Sequence, residues 1–157
     1  MTIGAMCTKN VATVKRGATV QEAAMLMRAR HVGDVVVVAG TDGRMPIGIV
    51  TDRDIAIEVV GQGLAPHHVT VDSVMGVPLL TLREEDGIEE ALAWMERRGV
   101  RRAPVIDREG HLAGIVSADD LIRLLARELT RVSALMQRGR IVEMIRTEDS
   151  LVDELAT

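Results

Sequence analysis

Aromatic residues are almost absent from this chain of 157 residues: Phe and Tyr do not occur, and Trp94 is the one aromatic residue. The chain therefore lacks the stacking platform that proteins use for single-stranded bases. Its formal net charge of -4 also lacks the excess of Lys and Arg that general nucleic-acid binding requires. We expect no nucleic-acid partner, and any flat ring bound here must lie between aliphatic side chains.

Cysteine and long apolar runs are scarce as well. The single cysteine, Cys7, excludes an internal disulfide framework, and we interpret it as a small apolar residue near the N-terminus. No run reaches the ~18 apolar residues of a membrane span, and residues 1–10 lack the segments of a signal peptide. With 47% hydrophobic and 27% charged residues, the composition is that of a globular protein. We expect a cytoplasmic protein with no membrane partner.

An internal repeat organises what is present. Residues 19–38 align with residues 87–106 at an offset of 68. Both copies have apolar residues at the i, i+3, i+4, i+7 spacing of a helix with one buried face. Thr19 and Glu22 form a capping box that predicts where the first helix begins. The matched apolar residues are Val20, Ala23, Ala24 and Met27 in the first copy, and Ile88, Ala91, Leu92 and Met95 in the second.

Two strands joined by a turn follow the helix in each copy. Residues 35–39 are a continuous β-branched run, which predicts a strand buried on both faces. Its counterpart at residues 103–106 contains Pro104, which lacks an N–H and is expected at the beginning or at an edge of its strand. The predicted turns are residues 40–43 and 107–110, the second strands are residues 47–50 and 112–116, and extended lead-in segments are residues 11–14 and 79–82.

A repeated heptapeptide follows, Gly48–Asp54 (GIVTDRD) and Gly114–Asp120 (GIVSADD), where each second strand runs into a helix. In both copies a hydroxyl residue is followed three positions later by an acid. On a structural interpretation this is a capping box that stabilises the helix by about 1 kcal/mol. On a functional interpretation, the helix N-terminus binds a phosphate and the carboxylate binds two vicinal hydroxyls, as a nucleotide requires. The residues alone leave both interpretations open.

The helices after the two heptapeptides differ in length. Gly61 and Gly63 are expected to end the first soon after Val60. The second continues with apolar residues at helical spacing, and we expect Gly139 to end it. Its apolar stripe needs another surface, either residues 141–155 or a second chain, and we favour a homodimer. The stripe consists of Leu121, Ile122, Leu125, Leu129, Val132, Leu135 and Met136.

Catalytic and metal motifs are missing from the sequence. His67 and His68 are adjacent, which is a poor spacing for metal ligands. His31 and His111 are interpreted as ordinary surface residues in a helix end and a turn. The motifs of P-loop, dinucleotide-binding, serine hydrolase and zinc protease sites do not occur. We therefore expect no catalytic residue and no metal site; an enzyme of unknown type would need a nucleophile or base with a partner group.

The doubled heptapeptide, the lead-in residues Thr13 and Thr81, the helix pattern and the strand patterns together resemble the tandem cystathionine-β-synthase (CBS) domain pair, or Bateman module, over residues 11–126. The resemblance implies an α/β fold of two pseudo-twofold related repeats, each helix-strand-strand-helix with a lead-in strand, with their sheets facing. We place the repeats at residues 1–66 and 67–126, followed by a C-terminal helical extension at residues 127–157.

The function implied by this resemblance is regulatory and non-catalytic. Such a module binds an adenine nucleotide (AMP, ADP or ATP) or S-adenosylmethionine in the cleft between the repeats, as in energy sensing. It then signals to an effector protein, here unknown. The alternative is a ligand-independent dimerisation or scaffold module, in which Asp54 and Asp120 only cap helices.

The resemblance also assigns roles to residues. The lead-in residues would line the base, the starts of the first strands would contribute backbone and side chains, and Ile49 and Ile115 would enclose the adenine. The Ser or Thr of each heptapeptide would reach the phosphate, and the acid would hold the ribose. The implied ligand-binding residues are Thr13, Val14, Gly33, Asp34, Val35, Ile49, Thr51, Arg53 and Asp54 in the first copy. In the second copy they are Thr81, Leu82, Arg101, Arg102, Ala103, Pro104, Ile115, Ser117, Asp119 and Asp120.

Charge distinguishes the two copies. Before its first strand, the second copy has Arg101 and Arg102, whereas the first has Asp34, an acid that would repel a nearby phosphate. Conversely, the first heptapeptide contains Arg53 where the second has Asp119. We expect two unequal sites, with the three arginines together neutralising one polyphosphate. The alternative is that these arginines are only a solvated surface run.

Overall fold

The computed structural model describes the backbone of residues 1–155 and the side chains of residues 1–138. The chain divides into two units, Met1–Ala118 and Asp119–Thr157. The first unit holds both repeats up to the start of the last helix. Within the described part of the chain, every helix is too short or too polar to cross a membrane.

The first repeat forms a three-stranded sheet of order β1-β2-β3 after a short N-terminal helix. In chain order the elements are α1 (Ile3–Met6), β1 (Thr13–Lys15), α2 (Val20–Arg30), β2 (Asp34–Ala39), β3 (Met45–Thr51) and α3 (Asp52–Asp54). Strand β2 is parallel to β1 and antiparallel to β3. Helix α3 continues as π-helical turns over Ile55–Val60, so the predicted end before Gly61 is confirmed.

The second repeat has the same order, β4-β5-β6. After a 3-10 turn at Val71–Ser73, the elements are β4 (Leu82–Arg83), α4 (Ile88–Arg98), β5 (Arg102–Ile106), β6 (Leu112–Ser117) and α5 (Ala118–Leu155). The antiparallel register shifts between Val37 and Val38 in one sheet and between Val105 and Ile106 in the other, which are equivalent positions at the offset of 68. The two repeats therefore agree even in their irregularity.

Local signals that were strong in the sequence are confirmed. Thr19 and Glu22 form the reciprocal capping box, since the Thr19 N–H donates to Glu22 Oε2 at 2.7 Å and the Glu22 N–H donates to Thr19 Oγ1 at 3.2 Å. The four central residues of β2, Val35–Val38, are buried on both faces as predicted. Of the matched helix residues, Leu92 is the exception because it is 39% exposed, at the border of the face that Ala91 and Met95 bury.

The prediction that Pro104 lies at the beginning or at an edge of its strand is wrong. Pro104 is the middle residue of β5, which is the central strand of its sheet. Its counterpart Val36 donates its N–H to Ala12 at 2.9 Å beside the parallel partner strand. Proline cannot make that bond, and β4 accordingly pairs only from Leu82↔Val105 onward, whereas β1 pairs already at Thr13↔Val36. The sheet tolerates the proline by shortening the neighbouring strand.

The prediction that Gly139 ends the last helix is also wrong, because α5 runs from Ala118 to Leu155. A glycine inside a helix costs only about 1 kcal/mol relative to alanine, so it need not end one. On the predicted apolar stripe, Leu121 is buried and the other six residues are 48–71% exposed. The side chains of residues 141–155, the alternative cover for the stripe, lie outside the described residues.

The segment that precedes each repeat in the chain packs on the other repeat and completes it. Residues 3–8 hydrogen-bond to the second repeat: the Ile3 N–H donates to Asp86 at 2.9 Å, and Thr8 exchanges two bonds with Ile115 at 2.9 and 3.0 Å. Equivalently, the Val71 N–H donates to Ala18 at 2.8 Å and the Gly76 N–H donates to Ile49 at 3.0 Å in the first repeat. Ile3 and Val71 are both fully buried at 0% exposure. We call residues 3–8 and 71–76 the exchanged segments.

The first glycine of each heptapeptide makes room for an exchanged segment. A Cβ added to Gly48 would collide with the Sδ and Cγ atoms of Met75. One added to Gly114 would lie 2.5 Å from Cys7 Sγ and 3.0 Å from the backbone oxygen of Thr8. Cys7 is buried at 8% exposure, in agreement with its interpretation as an apolar residue. Thus the glycines of the heptapeptides serve packing.

Gly114→Ala is expected to destabilise the protein more than Gly48→Ala. The first change presses on the Thr8 backbone, which is fixed by two hydrogen bonds, whereas the second presses on a flexible methionine side chain. Overpacking of this kind costs about 1–3 kcal/mol. Urea unfolding measures the difference, with Gly76→Ala as a control because no atom lies within 4 Å of the added Cβ. Equal losses for Gly114 and Gly76 would contradict this packing role.

Candidate functional site

The structure brings the start of the first strand and the start of the second helix together in each repeat. In the first, Asp34 pairs with Thr51 across the sheet, and the Asp52 N–H donates to the Gly33 oxygen at 3.0 Å. In the second, Arg102 pairs with Ser117. The Ala118 N–H donates to the Arg101 oxygen at 2.9 Å. Two groups of residues assigned separately from the sequence are thus neighbours.

The first heptapeptide forms the predicted capping box. Thr51 donates from its N–H and from its Oγ1 to Asp54 Oδ2, at 2.8 and 2.7 Å, and the Asp54 N–H donates to Thr51 Oγ1 at 3.2 Å. In the second heptapeptide Ser117 ends β6, and Asp119 and Asp120 lie in the first turn of α5. Both heptapeptides are therefore strand-to-helix joints, as predicted.

The implied site residues differ in how much of their surface is exposed to solvent. Val35, Leu82, Ala103 and Pro104 are buried as whole residues, so they present little or no surface to a ligand in this conformation. Thr13, Arg53, Arg101 and Asp119 are exposed. The half-buried residues are Val14, Gly33, Asp34, Ile49, Thr51, Asp54, Thr81, Arg102, Ile115, Ser117 and Asp120.

An ion pair joins the two repeats at this site. Arg102 Nε lies 2.8 Å from Asp34 Oδ2, and the side chains are 36% and 16% exposed, respectively. The two residues occupy equivalent positions of the repeat, since the offset of 68 places Asp34 on Arg102. From the sequence, Arg102 was expected to attract a phosphate at one site and Asp34 to repel a phosphate at the other. Opposite charges at equivalent positions of a pseudo-twofold pair were the signal that could have predicted their contact.

Burial dominates the electrostatics of Asp34. Desolvation raises the pKa of the Asp34 carboxyl above its ordinary value of 3.8, Arg102 lowers it, and Asp52 raises it. The raised pKa shows that removing water from the carboxylate outweighs the attraction of Arg102. Asp52 also limits the space here, because a Cβ added to Gly33 would lie 3.1 Å from Asp52 Oδ2. The centre of the site is therefore a partly desolvated ion pair.

The prediction made for His111 is wrong. His111 is not an ordinary surface residue, because its side chain is 24% exposed and lies among the carboxylates of Asp42, Asp107 and Glu109. The two acids in its own turn are close in sequence, but Asp42 comes from the hairpin of the other repeat. Only the fold brings that third carboxylate to the histidine.

Comparison with known proteins finds the same family in two segments of the chain. The family model described as CBS domain matches residues 3–61 and 71–127. A relative of Methanopyrus kandleri described as uncharacterized is 36% identical over 124 residues, which cover 79% of this chain and 62% of that protein. CBS domain-containing protein YhcV of Bacillus subtilis is 37% identical over 114 residues, covering 73% of this chain and 78% of YhcV.

The enzymes among the relatives match this chain over only a part of their own length. Homoserine O-acetyltransferase of Methanohalophilus mahii is 29% identical over 127 residues, which cover 81% of this chain but 25% of the enzyme. Its activity therefore does not carry over to this chain.

Solved structures share the fold over most of the chain. Hypoxic Response Protein I with two coordinated zinc ions is 31% identical with a TM-score of 0.69, covering 78% of this chain and 98% of that one. CBS domain protein PAE2072 from Pyrobaculum aerophilum, complexed with AMP, is 25% identical with a TM-score of 0.73, covering 83% of this chain and 99% of that one. The two α/β repeats and their pairing are thus a known architecture.

Asp34→Asn is expected to change how the unfolding free energy depends on pH. Because the pKa of Asp34 is raised above 3.8 in the folded chain, that chain holds more protons than the unfolded one just above this pH. The contribution of Asp34 to stability is therefore fully present below pH 3.8 and is lost as the pH rises through the folded pKa. Urea unfolding at pH values from about 3 to about 6 should show wild type losing stability relative to the variant.

Arg102→Met provides the matching comparison. It removes the cation that lowers the pKa of Asp34, so the loss of stability should extend to higher pH than in wild type. A difference between wild type and Asp34→Asn that stays constant or increases with pH would contradict the role of burial.

Proposed function

Since this chain belongs to the CBS domain family and carries two CBS domains, at residues 3–61 and 71–127, we propose that it is a non-catalytic regulatory module that binds an adenine nucleotide between its repeats. The observation that carries the proposal is the doubled strand-to-helix joint with its capping acid, next to the start of β2 or β5. The AMP complex of the 25% identical PAE2072 protein supports the class of ligand.

In the first repeat, the capping box supports a defined role for Asp54. Its Oδ2 accepts both bonds from Thr51, so we assign the ribose hydroxyls to Oδ1. The N-terminal turn of the helix and Thr51 Oγ1 then face the phosphate. We assign the ribose to Asp120 and the phosphate to Ser117 in the second repeat, where Asp120 Oδ1 also accepts a bond from Arg123 at 3.4 Å. The cap interpretation and the ligand interpretation are thus compatible for Asp54, whose two oxygens serve one role each, whereas Thr51 Oγ1 must release Asp54 Oδ2 before it can donate to a phosphate.

The adenine is enclosed by aliphatic side chains in this proposal. Ile49 and Ile115 are half-buried, and each belongs to the third residue pair from the heptapeptide end of its antiparallel ladder, Val36↔Ile49 and Pro104↔Ile115. The lead-in residues Thr13, Val14, Thr81 and Leu82 border the base. Backbone amides and carbonyls of these segments read its edge, while the aliphatic side chains take the place of the aromatic residues that the chain nearly lacks.

The ion pair makes the two sites unequal in a way that the sequence did not suggest. Arg102 is engaged by Asp34 at 2.8 Å, which leaves Arg53 and Arg101 as the exposed cations for a phosphate. Asp34 and Asp52 add negative charge to the first site, as Asp119 and Asp120 do to the second. Because Arg101 adjoins the second joint through its bond to Ala118 whereas Asp34 adjoins the first, we propose that the second repeat holds the more highly charged nucleotide, through Arg101.

Regulation follows from differential binding. A nucleotide that contacts both repeats stabilises one relative placement of them, and the population of that placement becomes the signal. We propose that the signal passes through a homodimer to an effector protein. ATP, ADP, AMP and S-adenosylmethionine are the candidate ligands, and sensing of cellular energy is the role that the first three imply.

A second candidate function is supported by α5. Its exposed residues Ile122, Leu125, Leu129, Val132 and Met136 follow the alternating spacing of three and four residues that is typical of a coiled-coil seam. A scaffold that dimerises through this seam without a ligand would use the capping acids only for stability. The two functions differ in whether a nucleotide binds.

Nucleotide binding is expected to raise the thermal midpoint of the full chain. At 100 times its dissociation constant a ligand adds about 2.7 kcal/mol of stability. Asp54→Asn and Asp120→Asn should each weaken binding at their own site by about tenfold, the value of one charge-assisted hydrogen bond. Arg101→Met should weaken ATP more than AMP, because it contacts the added phosphates.

Glu89→Gln is the control for this experiment, since Glu89 is also an acid in the first turn of a helix but belongs to neither heptapeptide. If none of the four ligands raises the midpoint, or if both aspartate variants bind as wild type does, the sensor function is rejected and the scaffold remains.

The chain is expected to form a dimer through the apolar stripe of α5. Light scattering after gel filtration should give twice the chain mass of 17.0 kDa for wild type. Leu129→Glu places a charge in the seam, where Leu129 is 70% exposed in the single chain, and should give the monomer mass. Ala134→Glu, on another face of the same helix, should remain dimeric. A dimer of the Leu129 variant would place the interface elsewhere.

A further inference from the structure

The hairpins of the two repeats contact each other at the ends of the sheets opposite the heptapeptides. The Leu112 N–H donates to the Arg44 oxygen at 2.8 Å. His111 Nε2 lies 3.2 Å from Asp42 Oδ2. His111 therefore sits where the hairpin after β2 meets the hairpin after β5, and its second ring nitrogen faces its own turn.

That second nitrogen, Nδ1, is buried and has no hydrogen-bond partner among the described residues. Glu109 Oε2 lies 3.3 Å away and Asp107 Oδ2 lies 3.8 Å away. Both distances are short enough for attraction to a charge, but neither oxygen is placed to accept a hydrogen bond from Nδ1. One side-chain nitrogen or oxygen atom from each of Asp107, Glu109 and His111 lies within 4.8 Å of the other two.

The turn itself holds the two carboxylates on this side. Asp107 Oδ1 accepts the N–H groups of Glu109 and His111, both at 2.9 Å. These bonds, chiefly that of His111, lower the pKa of the Asp107 carboxyl. Oδ1 of Asp107 thus fixes the turn, and its Oδ2 remains near Nδ1.

Asp42 orients the imidazole ring. Its contact with Nε2 directs Nδ1 at Asp107 and Glu109. A metal-bound histidine has this arrangement, since its other N–H donates to a carboxylate. Nδ1 and the two carboxylate oxygens face one another without a hydrogen bond to Nδ1, and a cation placed between them would hold all three.

We propose that Asp107, Glu109 and His111 bind a divalent transition-metal cation of the zinc class. In a tetrahedral site with bonds of ~2.1 Å the ligand atoms are ~3.4 Å apart, which the distances of 3.3 and 3.8 Å approach. An imidazole with two carboxylates suits zinc, whereas magnesium and calcium take oxygen ligands. This site lies outside the proposed nucleotide site and does not depend on it.

A cavity borders two of the three proposed ligands. It has a volume of about 430 Å³ and is lined by Glu84, Glu85, Asp107, Arg108 and Glu109. The cavity has room for a water molecule as the fourth ligand. The cation would fix the imidazole and, through Asp42, hold the two hairpins against each other. Its role is structural: it clamps the repeats at the ends of the sheets away from the heptapeptides.

Zinc titration of the full chain by calorimetry, in competition with a chelator of known affinity, tests the site. Wild type should bind one Zn²⁺ here and gain thermal stability from Zn²⁺ but not from Mg²⁺. Glu109→Gln should weaken this binding by about 10-fold to 100-fold and His111→Gln by at least as much. The Glu109 variant keeps the turn, because the backbone bonds to Asp107 do not use its side chain.

Two controls localise the binding. Glu85→Gln removes an equal charge from the same cavity without touching the three ligands, and should bind as wild type does. His67→Ala with His68→Ala removes the other neighbouring histidines and should also leave binding intact. Absence of Zn²⁺ binding by wild type would overturn the proposal, as would equal weakening by the Glu85 and Glu109 variants; a protonated His111 bridging the carboxylates gives the first of these results.

Discussion

The structure depends on the contact between each exchanged segment and the glycine that begins the opposite repeat's heptapeptide. Residues 3–8 complete the second repeat, and residues 71–76 complete the first. Because Gly48 and Gly114 have no side chain, Met75 and Cys7 can lie directly on β3 and β6. Without these segments, each three-stranded sheet would expose part of its core, including the face that the fully buried Ile3 and Val71 cover. The two repeats are therefore one structural unit, and the candidate nucleotide site inherits its geometry from that union.

Departures from the internal symmetry are concentrated where the repeats meet. Perfectly identical repeats would bring two like charges together at the position of Asp34 and Arg102, at a cost that burial would increase. The chain instead carries opposite charges there, and at the other end of the sheets Asp42 contacts the imidazole of His111. The residues that differ between the repeats and allow them to associate also make the two candidate sites different. The proposed difference in ligand preference between the sites would thus be a consequence of assembling two copies within one chain.

The sequence predicted the elements whose causes are local and failed where the cause lay elsewhere in the fold. The Thr19 capping box, the valines of β2 and the end of the helix at Val60 depend on neighbours within a few residues. Pro104 was misplaced because its position is tolerated by a shorter β4, which is a partner distant in sequence. Gly139 was misread because a glycine lowers helix stability without forbidding a helix. His111 was missed because Asp42, the carboxylate that orients its ring, comes from the other repeat. The implied ligand contacts of the candidate site remain predictions.

The exchanged segments also determine the order in which the chain can fold during synthesis. The first repeat lacks residues 71–76 until well after its own strands have left the ribosome, and residues 3–8 must wait for β6, more than a hundred positions later. Contacts of such sequence separation close long loops and slow folding. Residues 3–8, with the apolar Ile3 and Cys7, therefore spend the longest time without their partner. A segment that is synthesised before both sheets is thus among the last to reach its native place.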